Sequence, residues 1–191
     1  MLNTDRLEAL SDGIFAIAMT LLVFNISIPG SNETNESISQ LLFKESHTFF
    51  IFGLSFIILA MFWILHHKQF HFIDKTNKVH IWTNILFLML ISLMPFTASL
   101  IGDYPDNLSA RIFFNSNLFL LGFLLYLNWK YASRTDLIRV EDLSEKEIKK
   151  KEKTCMVLPA LAIIAIGVSF ITPIYSPIVY VLSPIIKKFM I

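Results

Sequence analysis

Long apolar stretches separated by short polar ones dominate the chain, and a bilayer-spanning helix needs about 20 mostly apolar residues. Leu10–Ile28, Thr48–Leu65, Ile81–Ile101 and Ile112–Trp129 read as four such helices, and Met156–Ile171 and Ile174–Ile186 as a shorter pair. Pro173 and Pro177 part the last two, and Pro184 lies within the sixth. That spacing predicts a tight hairpin of two short or tilted helices, with one bent span plus an interfacial segment as the alternative. The stretch Arg134–Lys153 alternates in charge and predicts a solvated helix or linker. The pattern therefore predicts an all-α integral membrane protein, one transmembrane domain over residues 1–191, with a charged cytoplasmic loop at 130–155 joining helices 4 and 5.

Composition sharpens this picture. Of the 191 residues, 54% are apolar and 16% charged, and the mean hydropathy is +0.60; soluble domains average roughly 45–50% and 25%. The formal net charge of +1 gives no electrostatic case for nucleic-acid binding. A single cysteine, Cys155, excludes an internal disulfide framework and a thiolate metal cluster. Placing the N-terminus in the cytoplasm puts every basic residue except Lys44 and Arg111 on the cytoplasmic side, which fits six spans with both termini inside. Lys187 and Lys188 then share a side with Lys153, as two C-terminal crossings require. The first span has a mixed charged flank (Asp5, Arg6, Glu8) and no small-x-small cleavage site, so it reads as a retained helix. Sequons at Asn32 and Asn35 lie in a polar loop and carry little weight. The Ile-, Phe-, Lys- and Asn-rich usage points to a bacterial cell membrane.

Polar side chains inside spans are costly and face the protein interior. Ser11 and Asp12 sit near the inner end of the first span, Trp63, His66 and His67 at the inner end of the second, and Asn84 near the inner start of the third. All three sets fall at one depth. Asp12 can accept from imidazole or indole N–H groups, and Asn84 can both donate and accept. Two roles fit such a network: packing that fixes helix register, or a proton relay built on histidine. His67 and His71 stand four apart and could share a helix face, but five histidines in all are too few for a membrane di-iron site. No phosphate loop, Ser-His-Asp set or cysteine nucleophile arrangement is present. The expectation is no enzyme activity, no resident metal and no cofactor.

On a helical wheel centred on Ile17, Leu21 lies at about +40°, Phe24 at about −20°, Ile28 at about +20° and Thr20 at about −60°. Asp12 falls near −140° on the same wheel, away from that stripe. The first helix thus carries an apolar face flanked by a threonine, and a separate face with the carboxylate. Periodicity leaves open whether the stripe meets lipid, a neighbouring helix or a pore.

The segment from Arg6 through Leu10-Ser11-Asp12-Gly13 to Thr20 resembles the first helix of the endosomal/lysosomal potassium channel family (transmembrane protein 175 family), in its prokaryotic single-repeat branch. The family pattern is Arg, three residues, then Phe-Ser-Asp; here Leu10 stands at the Phe position. Trp63-Ile-Leu-His66-His67 followed by Phe70, and Asn84 followed by Pro95-Phe96-Thr97, extend the likeness, as do the chain length and six-span layout.

The resemblance implies a homotetramer of six-helix subunits in a lipid bilayer, with a central pore lined by the first helix and no carbonyl selectivity filter. Carried over by position, it implies an apolar constriction at Ile17, Leu21 and Phe24 with Thr20 as the polar layer. It also implies a supporting network of Arg6, Ser11, Asp12, Trp63, His66, His67 and Asn84. Phe24 is bulkier than the aliphatic residue expected there and moves the expected narrowest point outward. The function implied is a K⁺-permeable cation channel of modest K⁺ over Na⁺ selectivity, passing Rb⁺ and Cs⁺ as well. The rival reading is a proton-coupled transporter using Asp12 with His66 or His67. A membrane enzyme holding metal at His66, His67 and His71 is a further rival.

Overall fold

The computed structural model describes residues 4–28, 36–135, 137–138 and 144–182. Among these residues six α-helices follow in chain order: α1 (Thr4–Leu21), α2 (Ile38–Lys44), α3 (Ser46–Phe70), α4 (Lys78–Asp103), α5 (Leu108–Arg134) and α6 (Glu145–Ser169). One 3₁₀ turn, Leu22–Asn25, continues α1, and a 3₁₀ segment, Pro173–Leu182, closes the described chain. Among the described residues five helices are long and apolar enough to cross a membrane: α1 with its 3₁₀ turn, α3, α4, α5 and α6.

Local chemistry sets the helix starts. Each begins with backbone N–H groups that lack helical partners, and at α2, α4, α5 and α6 a side-chain oxygen supplies one. Asn77 accepts from the His80 N–H at the start of α4, and Asn107 from the Ala110 N–H at the start of α5. Ser37 with Gln40, and Ser144 with Glu147, form reciprocal capping boxes at α2 and α6.

The structure revises three boundaries drawn from sequence. The first helix does not run as α to Ile28; it tightens to 3₁₀ at Leu22 and is extended from Ile26. A tertiary contact holds that end, since Asn25 donates its side-chain N–H to the Pro95 carbonyl on α4 at 2.9 Å. The stretch 130–155 contains the last turn of α5 and the first turns of α6, which run unbroken into the apolar part of that helix. The described part of the sixth apolar stretch is 3₁₀ up to Leu182, with Pro177 inside it. Pro177 has no backbone N–H to give an α-helical ladder there, in keeping with the 3₁₀ form of the segment. The remainder of that stretch, with Lys187 and Lys188, lies outside the described residues, as do Arg139 and the sequons at Asn32 and Asn35.

Two cores hold the bundle. The larger runs through its middle, with Phe15, Phe62, Phe87, Phe114, Leu121 and Tyr180 among its buried members. Tight backbone approach helps to build it: a Cβ on Gly122 of α5 would stand 2.4 Å from the Pro159 ring of α6, so only glycine admits that ring. The smaller core lies at the lysine-bearing end and joins Leu7 of α1 to Phe70, Ile73, Trp129, Leu137 and Ile138. There the Leu137 carbonyl accepts from the Asp74 N–H at 2.9 Å, and Ile73 and Ile138 form an antiparallel bridge. The start of α1 thereby shares a core with the α3–α4 loop and the α5–α6 linker. At the opposite end Arg111 is fully buried, and its guanidinium donates twice to the Pro105 carbonyl, at 2.9 and 3.1 Å.

Candidate pore helix and the polar contacts behind it

α1 packs through Leu7, Ser11, Phe15 and Ala18, spaced four, four and three apart, which is one face of a helix. Its partners are α3 and α4. Away from that face the helix is uncovered: Leu10, Ile17 and Leu21 are exposed, Ile17 at 60%, and Phe24 at 78%, as are Ala9, Asp12, Gly13 and Ala16. Phe24 keeps that alignment because a 3₁₀ turn eclipses side chains three apart, so it stands over Leu21. Only 28% of the α1 span is buried, against 39 to 50% in the other four, so α1 is the least enclosed of the five.

Thr20 lies on the same exposed side. Its hydroxyl donates within the helix, to the Ile17 carbonyl at 2.8 Å and the Ala16 carbonyl at 3.0 Å. That commits the hydroxyl proton to the backbone and leaves oxygen lone pairs for a ligand outside the helix.

Behind the exposed face the predicted polar residues separate into two branches. The buried branch is a chain of fixed polarity. The Asn84 side-chain N–H donates to Ser11 Oγ at 3.3 Å, and Ser11 Oγ–H donates to the Leu7 carbonyl at 2.8 Å. The Asn84 oxygen pairs with His66 Nε2 at 2.9 Å, which makes Nε2 the donor. Ser11, His66 and Asn84 are each at most 1% exposed. The His66 ring stacks on Phe87 at 5.5 Å and on Phe70 at 4.3 Å between centroids, so packing fixes its orientation. One side chain each from α1, α3 and α4 therefore meets at a single satisfied node.

The rim branch joins α1 to α3 alone. Trp63 Nε1–H donates to Asp12 at 2.8 Å, and one turn away the Glu8 carboxylate lies 3.2 Å from His67 Nδ1. Four residues up α1 match four down α3, as antiparallel helices require, and the Trp63 and His67 rings stack at 5.7 Å. Asp12 is exposed rather than enclosed by the bundle. Glu8 is a member that the sequence reading left among the charged flank; its four-residue spacing from Asp12, matching that of Trp63 and His67, is the signal. Arg6 is exposed on the first turn of α1 and joins neither branch.

A model of the endosomal/lysosomal potassium channel TMEM175 family matches residues 6–95, which include most of α1, all of α3 and all seven residues of the predicted network. A potassium channel of Chamaesiphon minutus is 32% identical over 175 residues, covering 89% of this chain and 86% of that protein. The crystal structure of a lysosomal potassium-selective channel TMEM175 homolog from Chamaesiphon minutus matches with a TM-score of 0.84 at 27% identity, over 98% of this chain and 97% of that one. The endosomal/lysosomal proton channel TMEM175 of Danio rerio is 24% identical over 189 residues, covering 96% of this chain but 36% of that larger protein. These relatives are ion channels and not enzymes. With one of them 32% identical along most of both chains, the chain belongs to the endosomal/lysosomal potassium channel TMEM175 family.

Proposed function

We propose that this chain forms a K⁺-permeable channel in which four copies surround an axis lined by α1. The observation that carries the reading is the uncovered stripe of Ile17, Leu21 and Phe24 on the least enclosed span, with Thr20 beside it. Fourfold assembly turns each of these residues into a ring. The apolar rings form a neck that closes by dewetting, and the threonine ring offers oxygen lone pairs to an ion that has shed part of its water. No rigid carbonyl cage takes part, so K⁺ is preferred over Na⁺ only modestly, and Rb⁺ and Cs⁺ pass as well. The potassium channels among the relatives support K⁺ as the permeant ion. In this reading each subunit crosses the bilayer six times with both termini in the cytoplasm, a layout that fits the distribution of lysines and arginines.

The proton-coupled transporter is less well supported. Of its two candidate histidines, His66 bonds to Asn84 on the buried branch, away from Asp12, and His67 shares the rim with Asp12 but faces Glu8 while Asp12 accepts from Trp63.

Reversal potentials under bi-ionic K⁺/Na⁺ conditions test the proposal. The wild type is expected to prefer K⁺. Thr20→Val keeps the shape but removes the lone pairs, and Thr20→Ala removes both. Both variants are expected to lower the K⁺/Na⁺ permeability ratio severalfold while assembling normally, because the lost hydroxyl bonds stay within one helix. An unchanged ratio in both places ion discrimination elsewhere.

A further inference from the structure

A groove of about 500 Å³ runs along the outer surface of α5 and α6 at their lysine-bearing ends. Tyr126, Glu152 and Lys153 form its rim, and Met156, Ala160 and Ile164 line the trough below. From Lys153 to Ile164 the helix advances about 16 Å, a length suited to an extended hydrocarbon tail. A second ammonium reaches the same rim: Lys130 Nζ sits 5.1 Å from the Tyr126 ring centroid. Lys146, Lys149 and Lys150 precede Lys153 by seven, four and three residues and continue its helix face. Glu152 is the carboxylate at the rim itself, while Glu145, 4.0 Å from Lys149, and Glu147 stand earlier on the helix among the lysines that precede Lys153.

We propose that this groove is a binding site for an anionic phospholipid, with the phosphate at Lys130 and Lys153 and one acyl chain in the trough of Met156, Ala160 and Ile164. The chemistry is complementary at both ends. A lysine-rich segment next to a span attracts anionic headgroups, and lysine stems lie along apolar surface while their ammonium groups reach the headgroup layer. Tyr126, with an apolar ring and a polar tip, belongs at the same depth. A zwitterionic lipid fits the trough equally but gains no net attraction at the rim. The trough alone would make an ordinary lipid-facing surface, and the lysines alone a diffuse attraction; together they define a site.

Native mass spectrometry of the assembled full-length protein in detergent, titrated with phosphatidylglycerol and with phosphatidylcholine of the same acyl chains, tests this. Phosphatidylglycerol is expected to remain bound at ligand levels where phosphatidylcholine does not. Lys130→Gln with Lys153→Gln should weaken retention by about 30-fold, the effect of removing two headgroup-level charges. Ala160→Trp fills the trough with every lysine in place and should also abolish retention, whereas Glu152→Gln should strengthen it. Size-exclusion profiles establish that the variants assemble. Equal binding of the two lipids would overturn the proposal, as would undiminished retention in either the double lysine variant or Ala160→Trp. A change of subunit number in Ala160→Trp with lipid binding intact would make the groove a contact between copies and overturn it equally.

Discussion

Ile17→Asn is expected to raise single-channel current or open probability by about tenfold, the change given by lowering a barrier by about 1.4 kcal/mol. Four Ile17 side chains facing an axis offer neither donors nor acceptors, so water leaves the ring and an ion must cross it without replacement ligands. Asparagine supplies amide dipoles at nearly the same bulk. Na⁺ is expected to gain more than K⁺, because polar ligands repay its stronger hydration. Ile17→Ala should also raise current, by widening the ring, with less change in preference. The competing placement of this 60%-exposed side chain is against lipid. There the amide would be stranded in hydrocarbon at a cost of several kcal/mol, and assembly rather than current would change. Recordings paired with size-exclusion profiles separate the outcomes.

Asn84→Ala is expected to have the largest effect on assembly of any single polar substitution in the bundle. It leaves the His66 Nε2–H without its acceptor and Ser11 Oγ without the Asn84 donor, in a site closed to water. Each unpaired group costs about 1–3 kcal/mol. The loss falls on the one node where α1, α3 and α4 meet, so the yield of intact oligomer should drop sharply. Asp12→Ala breaks one bond at an exposed rim and should cost less. In neither variant should the surviving channels change ion preference, since both residues lie off the exposed stripe. Thermal stability in detergent and reversal potentials measure the two effects separately, and an altered K⁺/Na⁺ ratio in Asp12→Ala would bring that carboxylate into the ion path.

The node was legible in the sequence because polar groups in a span must find one another. Ser11, His66 and Asn84 stood at one depth on three apolar segments, and the structure joins all three. The division into two branches was not legible. It depends on which side of α1 faces α3 and which faces α4, a matter of packing that a helical wheel does not address. Glu8 was overlooked because it sits in a charged flank, where carboxylates are usually solvated; its partner His67 lies fifty-nine positions away.

The helix ends divide in the same way. The Ser144–Glu147 capping box is a local signal, and it explains why the charged stretch before Cys155 is already helical. The tightening of α1 at Leu22 has no local signal, since Leu22, Val23 and Phe24 suit an α-helix; Asn25 holding the Pro95 carbonyl is a tertiary cause. That Ile17, Leu21 and Phe24 share a face followed from helical spacing, whereas the exposure of that face did not; the alignment survived the change to 3₁₀ because Phe24 then stands over Leu21.

Flux into proteoliposomes containing only the purified protein tests the central claim most directly, with K⁺, Na⁺ and H⁺ followed in parallel. A K⁺-permeable channel predicts K⁺ uptake that runs down its own gradient, exceeds Na⁺ uptake and persists when the proton gradient is collapsed. Saturable K⁺ movement that stops without a proton gradient, or no K⁺ movement from a correctly assembled oligomer, would contradict it.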